Sequence, residues 1–147
     1  FTAITNSLRV AIELSKIEDC TVILPGGRLY SQRLELIPLQ PEDNLNLFNI
    51  DWAFIGVAGI TETHFTDYAL GERGYIRHTV IQDSSQTVVL ADHSKFGFRA
   101  TLNMAAINEL DVVITDSKTS ENYLKQMRNS GIRVIVAKGQ SAGDVDE

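Results

Sequence analysis

The sequence is poor in cysteine, in excess positive charge and in long apolar runs. Its single cysteine, Cys20, can form neither an internal disulfide nor a cysteine-based zinc site. It stands just before the apolar run TVIL, so it reads as a structural, half-buried thiol, and its solitude fits a reducing compartment. Lys and Arg number 13 against 19 Asp and Glu, a net charge of −6. That balance argues against these residues gripping a nucleic-acid backbone by themselves. No apolar run approaches the ~20 residues that span a bilayer, and no signal-peptide pattern is found; no membrane partner is expected. The histidines, His64, His78 and His93, show no H-x-x-x-H or H-x-x-E-H spacing, so no metal site is expected. No G-x-S-x-G elbow is present for a nucleophilic serine.

What is present is the material of one ordinary domain. The 147 residues are 44% hydrophobic and 22% charged, a balance that supports a core without disulfides or metal. Short β-branched runs alternate with helical segments. Strands are predicted at Thr2–Thr5, at TVILPGG, through DWAFIGVAGI as one long run, at TVVLAD, at DVVITD and at IRVIVA. Helices are predicted from Leu8, Ala11, Ile12 and Ser15, with Asn6 or Ser7 as cap, and through Tyr68, Glu72, Ile76 and Val80. SENYLKQMRNSG is predicted helical between Ser120 as cap and Gly131 as stop. TLNMAAINEL reads as a short helix or turn. Segment 31–50, which holds two of the prolines, reads as a loop or peripheral excursion. Near-continuous apolar strands separated by helices predict an α/β fold: a doubly wound, mostly parallel sheet with helices on both faces.

In such sheets ligands bind beyond the carboxyl ends of the strands. The segments that follow the predicted strands are Thr5-Asn6-Ser7, Pro25-Gly26-Gly27-Arg28, Gly56-Val57-Ala58-Gly59, Asp92-His93-Ser94-Lys95 and Thr115-Asp116-Ser117. They offer glycines, hydroxyls, an amide and cations, the chemistry that recognises a small polyhydroxylated anion. Bland readings compete with this one. Gly26-Gly27 can be only a tight turn, Asn6 only a helix cap, and Asp116 is better read as a turn cap. GVAGI lacks the full dinucleotide fingerprint and the ending of a P-loop. Lys95 lies three residues from Asp92, whose charge favours the ammonium form. It reads as an anion-binding cation rather than a Schiff-base nucleophile, with a solvated loop lysine as the plain alternative. His93 is expected to point elsewhere.

The ordered series TNS, PGG, DWAFIGVAGI, a helix with Glu72, LADHSKFG and DVVITD resembles the C-terminal effector-binding domain of DeoR-family bacterial transcriptional repressors. The likeness runs from about Ile4 to Val136. That domain is similar in fold to ribose-5-phosphate isomerase, glucosamine-6-phosphate deaminase and CoA transferases. The resemblance implies a non-catalytic, cytoplasmic sensor that needs no cofactor, binds a phosphorylated sugar and alters operator binding by an N-terminal winged helix-turn-helix. It also implies a homo-oligomer, dimer or tetramer. Carried over by position, Thr5, Asn6, Gly26, Gly27, Gly56, Gly59, Glu72, Asp92 and Lys95 would line the pocket, Asp92 and Lys95 foremost. FTAITNS opens as half a strand and a cap, so the chain is expected to be an N-terminally truncated piece. Residues 1–138 would form a single effector-binding domain and 139–147 a flexible tail. Departures from the family are the missing D-S-G-T-T-type loop before Phe1 and the segment LIPLQPEDNLNLFN. An enzyme of similar fold, a sugar-phosphate isomerase or deaminase with Glu72 or Asp67 as base and Lys95 as oxyanion stabiliser, is the alternative. A plain oligomerisation module is a third.

Overall fold

The computed structural model describes the backbone of residues 1–39, 47–68 and 72–138, and their side chains apart from those of 72–77. Two compact units emerge: Phe1–Phe48 with Leu70–Ile76, and Asn49–Ala69 with Arg77–Glu147.

The first unit is a small βαβ arrangement. β1 (Thr2–Ile4) pairs in parallel with β2 (Thr21–Ile23), and α1 (Leu8–Leu14) connects them. Ser7 rather than Asn6 caps this helix, its hydroxyl accepting from the Val10 N–H. Cys20 enters β2 as a partly buried free thiol. β3 (Arg28–Tyr30) and β4 (Glu35–Ile37) then form an antiparallel hairpin. Segment 31–50, read as a loop or peripheral excursion, thus holds one strand of this hairpin, Glu35–Ile37. That strand gains further partners from the start of α1: the Leu36 N–H donates to the Asn6 carbonyl at 2.7 Å and the Leu8 N–H to the Leu34 carbonyl at 2.9 Å. Local pattern is weak in a three-residue strand, and such backbone pairing stabilises it. Residues 40–46 of the irregular segment lie outside the described residues.

The second unit bears out the α/β reading. β5 (Ile50–Gly56), β8 (Ser84–Leu90), β10 (Val112–Asp116) and β11 (Arg133–Ala137) form one parallel sheet in the order β11-β10-β8-β5. Helices flank it: the part of α2 (Glu72–Asp83) from Arg77 onward reaches its core through Ile81, and α3 (Glu121–Asn129) through Met127. Alternation along β5 is clear, since side chains in a strand point to opposite faces by turns. Ala53 and Ile55 are buried, while Trp52 and Phe54 are exposed. At the opposite end of the sheet from the loops discussed below, Asp111 Oδ2 accepts from the Thr87 N–H at 2.7 Å and its hydroxyl at 2.9 Å. That carboxylate gives the buried Thr87 the partners it would otherwise lack.

The predicted long strand DWAFIGVAGI is two strands. β5 stops at Gly56 and β6 (Gly59–Ile60) turns into a second sheet, antiparallel, in the order β6-β7-β9. Here β7 is His64–Asp67 and β9 is Leu102–Ala106. The expected helix or turn at TLNMAAINEL is therefore corrected to a strand followed by a short 3-10 turn, Ile107–Glu109. Leu, Met and Ala favour a helix weakly, and pairing with β7 overrides that preference. Phe65, Ile60, Val89, Val113 and Met127 are nearly or wholly buried in one cluster shared by both sheets and α3.

Candidate functional site

Register places the strand ends of the second unit side by side. Gly56 lies opposite Leu90, and Leu90 opposite Ile114. The loops after β5, β8 and β10 therefore leave the sheet at one rim, as the position of ligand loops in parallel sheets requires.

The loop after β8 is the stretch Asp92 to Phe96. Asp92 caps a single 3-10 turn, His93–Lys95, with Oδ1 accepting from the Ser94 N–H at 2.8 Å. Hydrogen bonds from Ser94, with smaller help from the charges of Lys95 and His93, hold the Asp92 carboxyl below the usual carboxylate range. The turn is tied down beyond Lys95 as well. Phe96 bridges to Ile60 of β6, and the Gly97 N–H donates to the Ile60 carbonyl at 2.8 Å. Gly97 has φ +77, and a side chain there would run into the Tyr123 hydroxyl. Lys95 is partly buried. Among the described residues it takes part in no ion pair.

The loop after β10 meets this turn. Asp116 Oδ2 accepts from the His93 backbone N–H and from His93 Nδ1, both at 2.9 Å, and Oδ1 accepts from the Lys118 N–H at 2.7 Å. The His93 N–H and ring, then the Lys118 N–H, hold the Asp116 carboxyl well below its ordinary value, at about 2. An ionised carboxylate only accepts hydrogen bonds, so Nδ1 is the nitrogen that carries the hydrogen. The turn-cap reading of Asp116 matches its bond to Lys118; its second bond set, to His93, was not legible. His93 is itself part of the rim, contrary to the expectation that it points elsewhere.

A pH prediction follows from Asp116. Its folded pKa lies below the ordinary aspartate value near 3.9, so its hydrogen bonds stabilise the fold above that value. The contribution is lost as pH falls from about 4 toward about 2. A carboxyl-detected titration should place the Asp116 midpoint near the lower figure. A midpoint at the ordinary aspartate value would show that the His93 bonds do not persist in solution.

The remaining candidates divide as follows. Gly56 ends β5, with open space where a side chain would project. Gly59 is close-packed: a side chain there would collide with the Phe98 carbonyl and ring. In the first unit, Thr5 Oγ1 accepts from the Ser7 N–H at 3.2 Å and Asn6 Nδ2 donates to the Leu36 carbonyl at 3.4 Å. Gly26 and Gly27 have φ of +72 and +102, which only glycine adopts readily. At Gly27 a side chain would also strike the Ile37 carbonyl. Glu72 opens α2, and its side chain lies outside the described residues. Asp67 is buried at the end of β7, with Oδ1 accepting from the Tyr68 N–H at 2.6 Å.

One potential ligand atom each from Asp92, His93 and Asp116 lies within 4.8 Å of the others. These side chains are already engaged in the hydrogen bonds above, and the Lys95 charge acts on Asp92. We assign no metal to them.

A parallel sheet whose strand-end loops present a lysine, hydroxyls and backbone amides is the architecture of a small-molecule-binding α/β domain. Residues 1–117 match the family described as the DeoR C terminal sensor domain, and the chain belongs to that family. It is 33% identical over 143 residues to the HTH-type transcriptional repressor GlcR of Bacillus subtilis, covering 97% of this chain and 55% of that protein. Against the glycerol-3-phosphate regulon repressor of Escherichia coli identity is 31%, covering 89% of this chain and 52% of that one. Against the deoxyribose operon repressor of the same organism it is 26%, covering 92% and 54%. The chain thus spans about half the length of the curated relatives it matches. No helix among the described residues is long and apolar enough to cross a membrane.

Proposed function

We propose that this chain is the effector-sensing part of a cytoplasmic DeoR-family repressor of carbohydrate metabolism. A phosphorylated sugar binds at the rim formed after β5, β8 and β10. Lys95 opposes the phosphate and Asp92 accepts sugar hydroxyls. The observation that carries this reading is Lys95 itself: a partly buried cation in a capped turn at a parallel strand end, without an ion pair among the described residues. Relatives that repress a glycerol-3-phosphate regulon and a deoxyribose operon support a phosphorylated or sugar-derived effector. We read residues 1–138 as one sensor domain, since the family match runs through both compact units. DNA is reached through an N-terminal helix-turn-helix in the longer protein, whose subunits pair to read half-sites. Ligand acts by favouring one arrangement of those subunits through its differential affinity. The chain is a sensor and not an enzyme.

The test is a thermal-shift panel of pentose, hexose, amino-sugar and triose phosphates beside the same unphosphorylated sugars. At a hundredfold excess over Kd, binding adds about 2.7 kcal/mol, a shift of roughly 5–10 °C for a domain of this size. We expect that shift with one phosphorylated sugar and none with its unphosphorylated partner. Equal shifts for the two would overturn the role of Lys95 toward phosphate. Conversion of ribose 5-phosphate or glucosamine 6-phosphate to product above the buffer rate would replace the sensor with an enzyme.

A further inference from the structure

The turn that carries Lys95 is short for the task assigned to it. A single 3-10 turn has few internal hydrogen bonds, and their geometry is poorer than in an α-helix. This one retains the Lys95 N–H to Asp92 carbonyl bond at 3.1 Å and the Phe96 N–H to His93 carbonyl bond at 3.3 Å. Its first residue is secured from outside. The backbone and the ring of His93 both donate to one oxygen of Asp116, which lies 23 residues away in the chain. That carboxylate is in turn fixed within its own loop. Its other oxygen holds the Lys118 N–H, the Thr119 N–H donates to the Asp116 carbonyl at 3.3 Å, and the buried hydroxyls of Thr115 and Thr119 lie 2.7 Å apart. Asp116 is thus a rigid post at the end of β10, and His93 is the strap that holds the Lys95 turn to it.

We propose that His93 and Asp116 are positioning residues for the effector, clasping the Lys95 turn to the loop after β10 so that the anion meets an ammonium already in place. This inference rests on the reading of Lys95 as the anion-binding cation. It adds two residues that need not touch the ligand. Physically, a turn held in its bound arrangement spares the ordering cost that a loose one incurs on binding, an effect of about three- to tenfold in affinity for one long side chain.

The experiment titrates the chain with inorganic phosphate, the group common to all candidate effectors, and follows the amide resonances of Asp92 to Phe96. It compares the unaltered chain with Lys95→Ala, His93→Ala, Asp116→Ala, the His93→Ala/Asp116→Ala double variant and His93→Asn. Lys95→Ala should nearly abolish binding. His93→Ala and Asp116→Ala should each weaken it about three- to tenfold, and the double variant should be no weaker than the worse single one, because the two act as a unit. His93→Asn, whose amide hydrogen can replace that on Nδ1, should restore most of the affinity; a merely structural role gives no such rescue at unchanged melting temperature. If Lys95→Ala weakens binding while His93→Ala and Asp116→Ala do not, or if their effects simply add, the clasp is overturned and the site stands. If phosphate leaves the turn unperturbed, or Lys95→Ala binds it as before, the site reading falls and the clasp with it.

Discussion

Replacing Lys95 by alanine is expected to erase the thermal response to a phosphorylated effector while leaving the melting temperature of the free chain nearly unchanged. The affinity loss should be about 30- to 100-fold, the scale of one charge-assisted hydrogen bond to an anion. Stability should move by no more than ~0.5 kcal/mol, because Lys95 stands in a strand-end turn and belongs to no packed cluster. The turn itself is held by Asp92, by the Asp116–His93 bonds and by the Phe96 bridge to Ile60, none of which needs the ammonium. Calorimetry with the effector found in the panel, beside melting of the free variant, checks both halves. A variant that melts far below the unaltered chain would place Lys95 in the core and remove it from the site.

Phe65→Ala should behave in the opposite way. Phe65 is fully buried in the middle strand of the β6-β7-β9 sheet, opposite Ile60 and Ala105. Truncation removes most of a large side chain and leaves a cavity that the surrounding sheet can fill only in part. The expected cost is about 3–5 kcal/mol, or roughly 10 °C in melting temperature. Binding should weaken too, because β6 carries Ile60, to which the Lys95 turn is bridged. Denaturant unfolding followed through Trp52 fluorescence measures the loss. A drop of less than ~1 kcal/mol would mean that the second sheet is not packed as described. The two variants separate recognition from support: one removes binding without stability, the other both.

The elements most legible in the sequence were those with a strong local cause. The β-branched runs TVVL, DVVIT and RVIVA became β8, β10 and β11, and their near-continuous apolar character marked a parallel sheet. The helix between Ser120 and Gly131 was legible from its boundary residues, and it occupies Glu121–Asn129. The Asp116 turn follows from a short acid reaching the amide two residues on, a purely local bond; Asp92 makes the same bond to Ser94, which was not read from the sequence. Less was visible where partners are distant. LNMAA reads as helix from its composition and is a strand because β7 lies beside it. DWAFIGVAGI is apolar throughout, so nothing in the run announces that it leaves one sheet at Gly56 and joins another at Gly59.

The sequence by itself determined an α/β domain with a sensor family's order of motifs, and it placed Lys95 and Asp92 at a strand end. Those are consequences of side-chain type and spacing, which act over a few residues. Only the tertiary structure decided that His93 meets Asp116 at the same rim. The bond from His93 to Asp116 exists because β8 and β10 pair in parallel, with Leu90 opposite Ile114, so that two turns distant in sequence leave the sheet at the same point. A hydrogen bond between loops depends on strand register, and register is set by packing of the whole sheet rather than by any local run of residues.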